Sequence, residues 1–85
     1  MAVTSFVAKI TSDRERKVIT FTLTKGAQND VQSFDGYVRV IEGAFASTES
    51  SGALTDEALT ITTSNNLKFT SSNTGSVRGI VWGYD

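Results

Sequence analysis

The sequence predicts an all-β fold, a small antiparallel sandwich or barrel of about six strands, built by residues 1–85 as a single β domain. Apolar and polar residues alternate with a period of two along several segments, whereas helical spacing of apolar residues never persists for ten residues. Twelve Thr, eight Val and five Ile add β-branched side chains, which favour pleated strands. A chain of this length supports one thin core.

The N-terminal part of the chain predicts two strands joined by a charged turn. The first runs from Ala2 to Ile10, with Phe6 and Ala8 on the same face, and ends at the charged residues 12–16. The second covers residues 19–24, where Ile, Phe and Leu alternate with three threonines. Its apolar side is therefore expected to face the core.

The middle of the chain predicts one strand between two polar loops. Residues 25–35 are expected to form a loop, and residues 36–46 a strand with a bulge at Gly43. Residues 47–56 predict the second loop, and residues 54–59 are expected to close one short helical turn.

The C-terminal part predicts a hairpin and a final strand. Residues 59–65 and 67–73 share an eight-residue echo, which indicates two paired strands. The final strand covers residues 76–84, with valines and glycines on one side, where a second layer can approach closely. Trp82 lies on the other side, and it has two interpretations: the largest residue of the core, or an anchor at an interface.

The absence of certain residue types excludes whole classes of chemistry. The chain has no His, Cys or Pro, so it lacks an imidazole base, a thiolate, a disulfide and the usual zinc ligands. The glycines form no phosphate-binding loop, and the acidic residues show no catalytic spacing. We therefore predict no enzyme activity, no catalytic residue, no metal site and no cofactor.

The charge and hydropathy patterns argue against nucleic acid and membrane partners. The net charge is −1 and the pI is near 5.2, so no broad basic surface attracts polyanions. Arg14, Arg16 and Lys17 form the basic cluster, but acidic residues interleave it, which is typical of a solvated turn. No apolar run approaches the roughly 20 residues of a membrane-spanning helix. Glu42 is expected to be partly buried and paired, with Arg39 as its neighbour.

The general character of the chain follows from four features: it is short, its strands are thin, its polar loops are long, and its final strand is aromatic, with Trp82 and Tyr84. In this character it resembles the small all-β decoration, or cement, proteins of tailed bacteriophages, although it lacks the Pro-rich N-terminal arm of one subgroup. The resemblance implies a structural protein of the virion, made in the host cytoplasm, that binds the major capsid protein and associates as a homotrimer. It carries no residue roles across.

Under this interpretation we expect the contacts to come from the terminal strands and one loop. The predicted interface residues are Phe6, Phe34, Ile80, Trp82 and Tyr84. One alternative is a small β-barrel binding module that recognises carbohydrate or single-stranded nucleic acid through Tyr37, Trp82 and Tyr84. Another is a tail or head–tail connector subunit, which would rely on the same apolar contacts.

Overall fold

The computed structural model describes residues 3–13 and 15–85, with only the backbone of Asp13, and it confirms the all-β class. It contains eight strands rather than about six, and no helix among the described residues. The strands are β1 (Thr4–Asp13), β2 (Lys17–Lys25), β3 (Asp30–Ser33), β4 (Val40–Ser50), β5 (Ala53–Asp56), β6 (Leu59–Thr63), β7 (Asn66–Phe69) and β8 (Gly75–Tyr84). Part of the expected first strand, Ala2, and part of the basic cluster, Arg14, lie outside the described residues.

The strands form two antiparallel sheets packed as a sandwich. The larger sheet has the order β1-β2-β8-β4-β5, and the smaller has the order β3-β7-β6. The core lies between them and contains Ile19, Phe21, Leu23, Phe34, Val38, Ile41, Leu67, Phe69, Val77 and Val81. Each sheet thus buries one apolar face and leaves the other to solvent.

Strand β2 follows the predicted alternation residue by residue. Ile19, Phe21 and Leu23 are buried, and the threonines between them are exposed. Its neighbour β8 pairs with it along its whole length, from Lys17 opposite Gly83 to Lys25 opposite Gly75. The inward side chains of β2 and β8 therefore line one side of the core.

The valine and glycine side of β8 faces the core, which decides between the two interpretations that the sequence left open for Trp82, and its small residues let the layers approach closely. A Cβ added at Gly79 would lie 2.7 Å from the Phe21 ring and 2.5 Å from the carbonyl oxygen of Phe45. Val77 and Val81 on the same side are fully buried. The Phe21 ring therefore occupies the space that a side chain at position 79 would need.

The expected loop over residues 47–56 and the helical turn over residues 54–59 are both wrong. Strand β4 continues to Ser50, and β5 returns beside it through a tight turn at Ser51 and Gly52. Both turn residues have positive φ, 53° and 82°, as in the two-residue hairpin turns that suit twisted strands. This segment therefore satisfies its backbone through a sheet ladder, which leaves no helical turn.

Two further boundaries differ from the predictions. The middle strand begins at Val40 rather than Gly36, because residues 35–37 form a turn closed by a hydrogen bond from Tyr37 N to Phe34 O. The expected loop over residues 25–35 contains the short strand β3. The hairpin predicted from the echo is confirmed, since β6 pairs antiparallel with β7, with Leu59 opposite Phe69.

An ion pair is buried where the two sheets meet. Lys25 Nζ lies 3.0 Å from Glu57 Oε2, and both side chains are inaccessible to solvent. Thr48 and Ser71 donate further hydrogen bonds to the Glu57 carboxylate, and the Ser71 carbonyl accepts one from Lys25 at 2.6 Å. These contacts connect β2, β4 and the segment after β7. Glu57 is thus a buried, paired residue.

Candidate functional site

The outer face of the five-stranded sheet, the face turned away from the smaller sheet, carries most of the exposed large apolar side chains of the larger sheet. Alternation along each strand assigns residues to this face, because the intervening residues are buried in the core. On the central strand β8 the outward residues are Arg78, Ile80, Trp82 and Tyr84.

An aromatic patch lies at the middle of this face, and we define it as Phe45, Ile80, Trp82 and Val18. Phe45 is 70% exposed, and its ring lies 5.5 Å from the Trp82 indole, with the two rings inclined at 42°. The strand register places Phe45 opposite Ile80 and Val18 opposite Trp82. Three neighbouring strands therefore supply one continuous apolar surface.

A glycine on β4 allows the indole to lie flat against the sheet. Gly43 is directly opposite Trp82, and a Cβ there would overlap the indole ring. The pairing register of β4 and β8 shifts between Ile41 and Gly43, which confirms the bulge predicted at Gly43. Trp82 is thus half-buried on the outer face and is not part of the core between the sheets.

Charged side chains surround the aromatic patch. Arg78 is flanked by Thr22 on β2 and Ser47 on β4, and it has no ion-pair partner within the described chain. Near one end of the sheet, Arg16 makes two hydrogen bonds, of 2.6 and 3.1 Å, to Glu42. The hydrogen bond and the charge of Glu42 raise the pKa of Arg16. The expected pairing of Glu42 is therefore confirmed, and its partner is Arg16.

A groove of about 520 Å³ borders the patch on the β4 side. It forms because β5 pairs only with residues 47–50 of β4, after which the chain crosses to the smaller sheet and Glu57 N bonds Ala46 O. Its lining consists of Ala44, Phe45, Ala46, Ser47, Asp56, Glu57, Leu59 and Arg78. The lining of the groove thus combines apolar residues with one basic and two acidic residues.

The structure places the five predicted interface residues in two separate environments. Ile80, Trp82 and Tyr84 share the outer face, where Tyr84 is 38% exposed. Phe6 packs edge-on against Phe34, at 5.4 Å between ring centroids. The prediction that Phe34 contacts a partner requires correction, because its side chain is completely buried and helps to fill the core.

The rings proposed for the alternative binding module are also divided. Tyr37 contacts Phe6, with ring centroids 6.1 Å apart, and packs against the core cluster. Trp82 and Tyr84 lie on the opposite side of the larger sheet. These three rings therefore do not form one surface.

Phe45 is the main residue of the patch that the sequence did not single out as an interface residue. It stands between Ala44 and Ala46, in a strand whose two faces both contain apolar residues. The bulge at Gly43 shifts the alternation by one residue, so the pattern before it does not tell which way Phe45 points. Only the register against β8 decides its orientation.

Comparison with protein-family models, with curated proteins and with solved structures found no match to this chain. In the described part of the chain, His, Cys, Asp and Glu side chains form no group of three or more that could hold a metal ion. None of the described segments is a helix of the length and hydropathy needed to span a bilayer.

Proposed function

We propose that this protein is a structural subunit of a virion, a decoration or cement protein that binds the major capsid protein through the outer face of its larger sheet. The aromatic patch carries the proposal. A monomeric domain of this size rarely leaves Phe45 and a half-exposed Trp82 together on a flat surface unless another molecule covers them.

The composition of this face is that of a binding hot spot. Trp, Arg, Tyr and Phe are enriched in the centres of protein interfaces, and Trp82, Arg78, Tyr84 and Phe45 all lie here. Burial of apolar surface contributes roughly 25 cal/mol per Å² before the costs of association. The neighbouring groove offers a place for an apolar side chain of the shell protein, beside Arg78.

The strands that carry the aromatic patch are held in place, so the patch can bind a partner without rearranging. Its residues project from three neighbouring strands, and the opposite faces of β2 and β8 are fixed by the core. Little conformational entropy is therefore lost on docking. Many copies on one shell add their separate contributions to its stability, and the resemblance leads us to expect these copies to be grouped as homotrimers.

The first test is to pellet large particles from the source material and to quantify this chain in the pellet and in the supernatant by mass spectrometry. Co-sedimentation in a fixed ratio with an abundant shell protein is the expected result. A ratio of only a few copies per particle would instead favour a tail or head–tail connector subunit. Recovery in the supernatant alone would contradict a virion role.

The second test compares two exposed apolar residues on different sheets. Phe45→Ser is expected to weaken binding to particles by roughly tenfold or more, because truncating a central hot-spot residue costs at least about 1–2 kcal/mol. The matched control is Val31→Ser on β3 of the smaller sheet, where the side chain is 43% exposed. Particle occupancy and the melting temperature should both be measured for each variant.

The two variants distinguish a binding surface from a packing role. The proposal requires Phe45→Ser to lose occupancy with a nearly unchanged melting temperature, and Val31→Ser to keep both. Equal loss of occupancy in the two variants would mean that the patch is not the docking surface.

The face also supports a second candidate function, the binding of single-stranded nucleic acid or carbohydrate. The observation in its favour is the position of Arg78 on the same strand as Trp82 and beside the strand of Phe45, because stacked rings and a basic side chain hold such ligands in other sheets. Titration of Trp82 fluorescence with oligonucleotides and oligosaccharides tests it. A saturable, salt-sensitive response would favour this candidate, whereas no response to either set would remove its support.

A further inference from the structure

We propose that copies of this chain join head to tail through the two edge strands of the larger sheet, with β1 of one copy beside β5 of the next. This inference deepens the proposed function and rests on it for its biological purpose. The contact itself involves only this chain, so it can be tested without a capsid.

The two edges match in length. Within the described residues, no strand pairs with the outer side of β1 or of β5. The regular part of β1 spans residues 7–10, between register shifts at Thr4/Val7 and Ile10/Ser12. Strand β5 is also four residues long. Each edge therefore presents one short, regular stretch of backbone that another strand can extend.

The side chains on the two edges are complementary. On β1, Val7 and Lys9 project onto the outer face, opposite two exposed threonines of β2. On β5, Leu54 and Asp56 project onto the same face, opposite Glu49 and Ser47. Val7 is 65% exposed and Leu54 is 74% exposed, which is unusual for large aliphatic residues on open edges. One edge thus carries an apolar and a basic residue, and the other an apolar and an acidic residue.

The strand directions make these residues meet in order. Each of the four neighbouring pairs from β1 to β5 is antiparallel, so β1 and β5 run in the same direction. A parallel β1–β5 contact between copies can place Val7 beside Leu54 and, two residues on, Lys9 beside Asp56. Ala8 and Thr55, which lie between these pairs, would then share the inner side.

Lys9 and Asp56 have no ion-pair partner in the described part of the chain. They stand at opposite edges of a five-stranded sheet, about 19 Å apart at a spacing of about 4.8 Å per strand, and cannot pair within one copy. A contact between different surfaces of identical copies repeats from one copy to the next, and it forms a ring where the rotation between copies closes. The aromatic patch at the middle of each face stays free for the shell in such an assembly.

The test is a charge-reversal cycle on self-association. Lys9→Glu alone and Asp56→Lys alone should each raise the dissociation constant of the oligomer by roughly 5- to 30-fold, because each puts like charges side by side at the contact. The double variant Lys9→Glu/Asp56→Lys should restore most of the lost affinity. Sedimentation velocity over a range of protein concentrations measures this, and circular dichroism checks that each variant is folded.

The restored affinity is informative because the two positions cannot touch within one copy. Lack of recovery in the double variant would overturn the proposal, as would a wild-type chain that stays monomeric at millimolar concentration. Phe45→Ser should leave self-association unchanged. Dissociation of the oligomer by Phe45→Ser would show that copies pack face to face, and would also overturn the edge contact. Particle binding, measured separately with Phe45→Ser, reports on the proposed function alone.

Discussion

At the scale of single residues, Glu57 is the side chain whose environment is most unusual. Its burial opposes ionisation, but hydrogen bonds from Thr48, Lys25 and Ser71 outweigh that effect, so the pKa of Glu57 lies below its ordinary value of 4.5. The shortest of these bonds, from Thr48, measures 2.5 Å. These hydrogen bonds keep the Glu57 carboxylate ionised, and the ionised carboxylate balances the buried charge of Lys25.

This environment predicts a specific dependence of stability on pH. Because the folded pKa of Glu57 is lowered, its stabilising effect is complete above the unfolded value and is lost as the pH falls through the folded value. At neutral pH, Glu57→Gln should reduce the free energy of unfolding by about 3–5 kcal/mol, since it leaves the buried Lys25 ammonium without its counter-ion. Urea denaturation at a series of pH values measures the difference.

The difference between the wild type and Glu57→Gln should shrink as the pH falls below about 4.5. The control is Glu15→Gln, whose side chain is exposed and should give only a small difference at every pH. A difference for Glu57→Gln that stays constant down to the acid transition would show that the hydrogen bonds, and not the charge, are what matters there.

At the scale of the elements, β8 is the strand on which both the core and the candidate interface depend. It is the middle strand of the larger sheet and pairs along its length with β2 on one side and β4 on the other. Its inner side carries valines and glycines, and its outer side carries Arg78, Ile80 and Trp82. The small inner residues bring the second sheet close, while the large outer residues are left for a partner.

The close approach of the layers at Gly79 predicts that one added methyl group there strongly lowers the free energy of unfolding. Gly79→Ala should lower the free energy of unfolding by about 1–3 kcal/mol, because the new Cβ would meet both the Phe21 ring and the Phe45 carbonyl oxygen. Ser76→Ala, on the outer face of the same strand, should change it by less than about 0.5 kcal/mol. Chemical denaturation of both variants measures these values, and equal effects would contradict the packing argument.

At the scale of the whole molecule, one set of aromatic rings connects the two sheets. Phe21 on the larger sheet contacts Phe34 and Phe69, which follow or belong to strands of the smaller sheet, with centroids 5.2 and 6.2 Å away. The Lys25–Glu57 pair lies at the same junction. Neither sheet has an apolar core of its own, so the two should unfold together.

This cooperativity predicts that local probes report one transition. Phe69→Leu alters the smaller sheet, and it should lower the free energy of unfolding by more than about 1 kcal/mol, or the melting temperature by roughly 4–8 °C per kcal/mol. Trp82 lies on the outer face of the larger sheet. The midpoint of unfolding followed by its fluorescence should shift by the same amount as the midpoint followed by far-ultraviolet circular dichroism. A fluorescence transition that does not move with the circular dichroism would mean that the sheets unfold independently.

The sequence by itself determined the fold class, the buried face of β2, which residues of β8 share a face, the hairpin of β6 and β7 and the bulge at Gly43. Each of these follows from local rules: alternation with a period of two, small residues where layers approach, and an echo between adjacent strands. The turn at Ser51 and Gly52 also left a local signal, a Ser-Gly pair between two runs of strand-forming residues.

Only the tertiary structure decided which side chains meet across long stretches of chain. The pairing of Lys25 with Glu57, the burial of Phe34 and the outward direction of Phe45 depend on strand order and on the register of β4 against β8. Register and strand order arise from the packing of the whole core, and a shift of one residue would exchange the two faces of a strand. The candidate interface is therefore a product of the packing, although its residues alternate in the sequence.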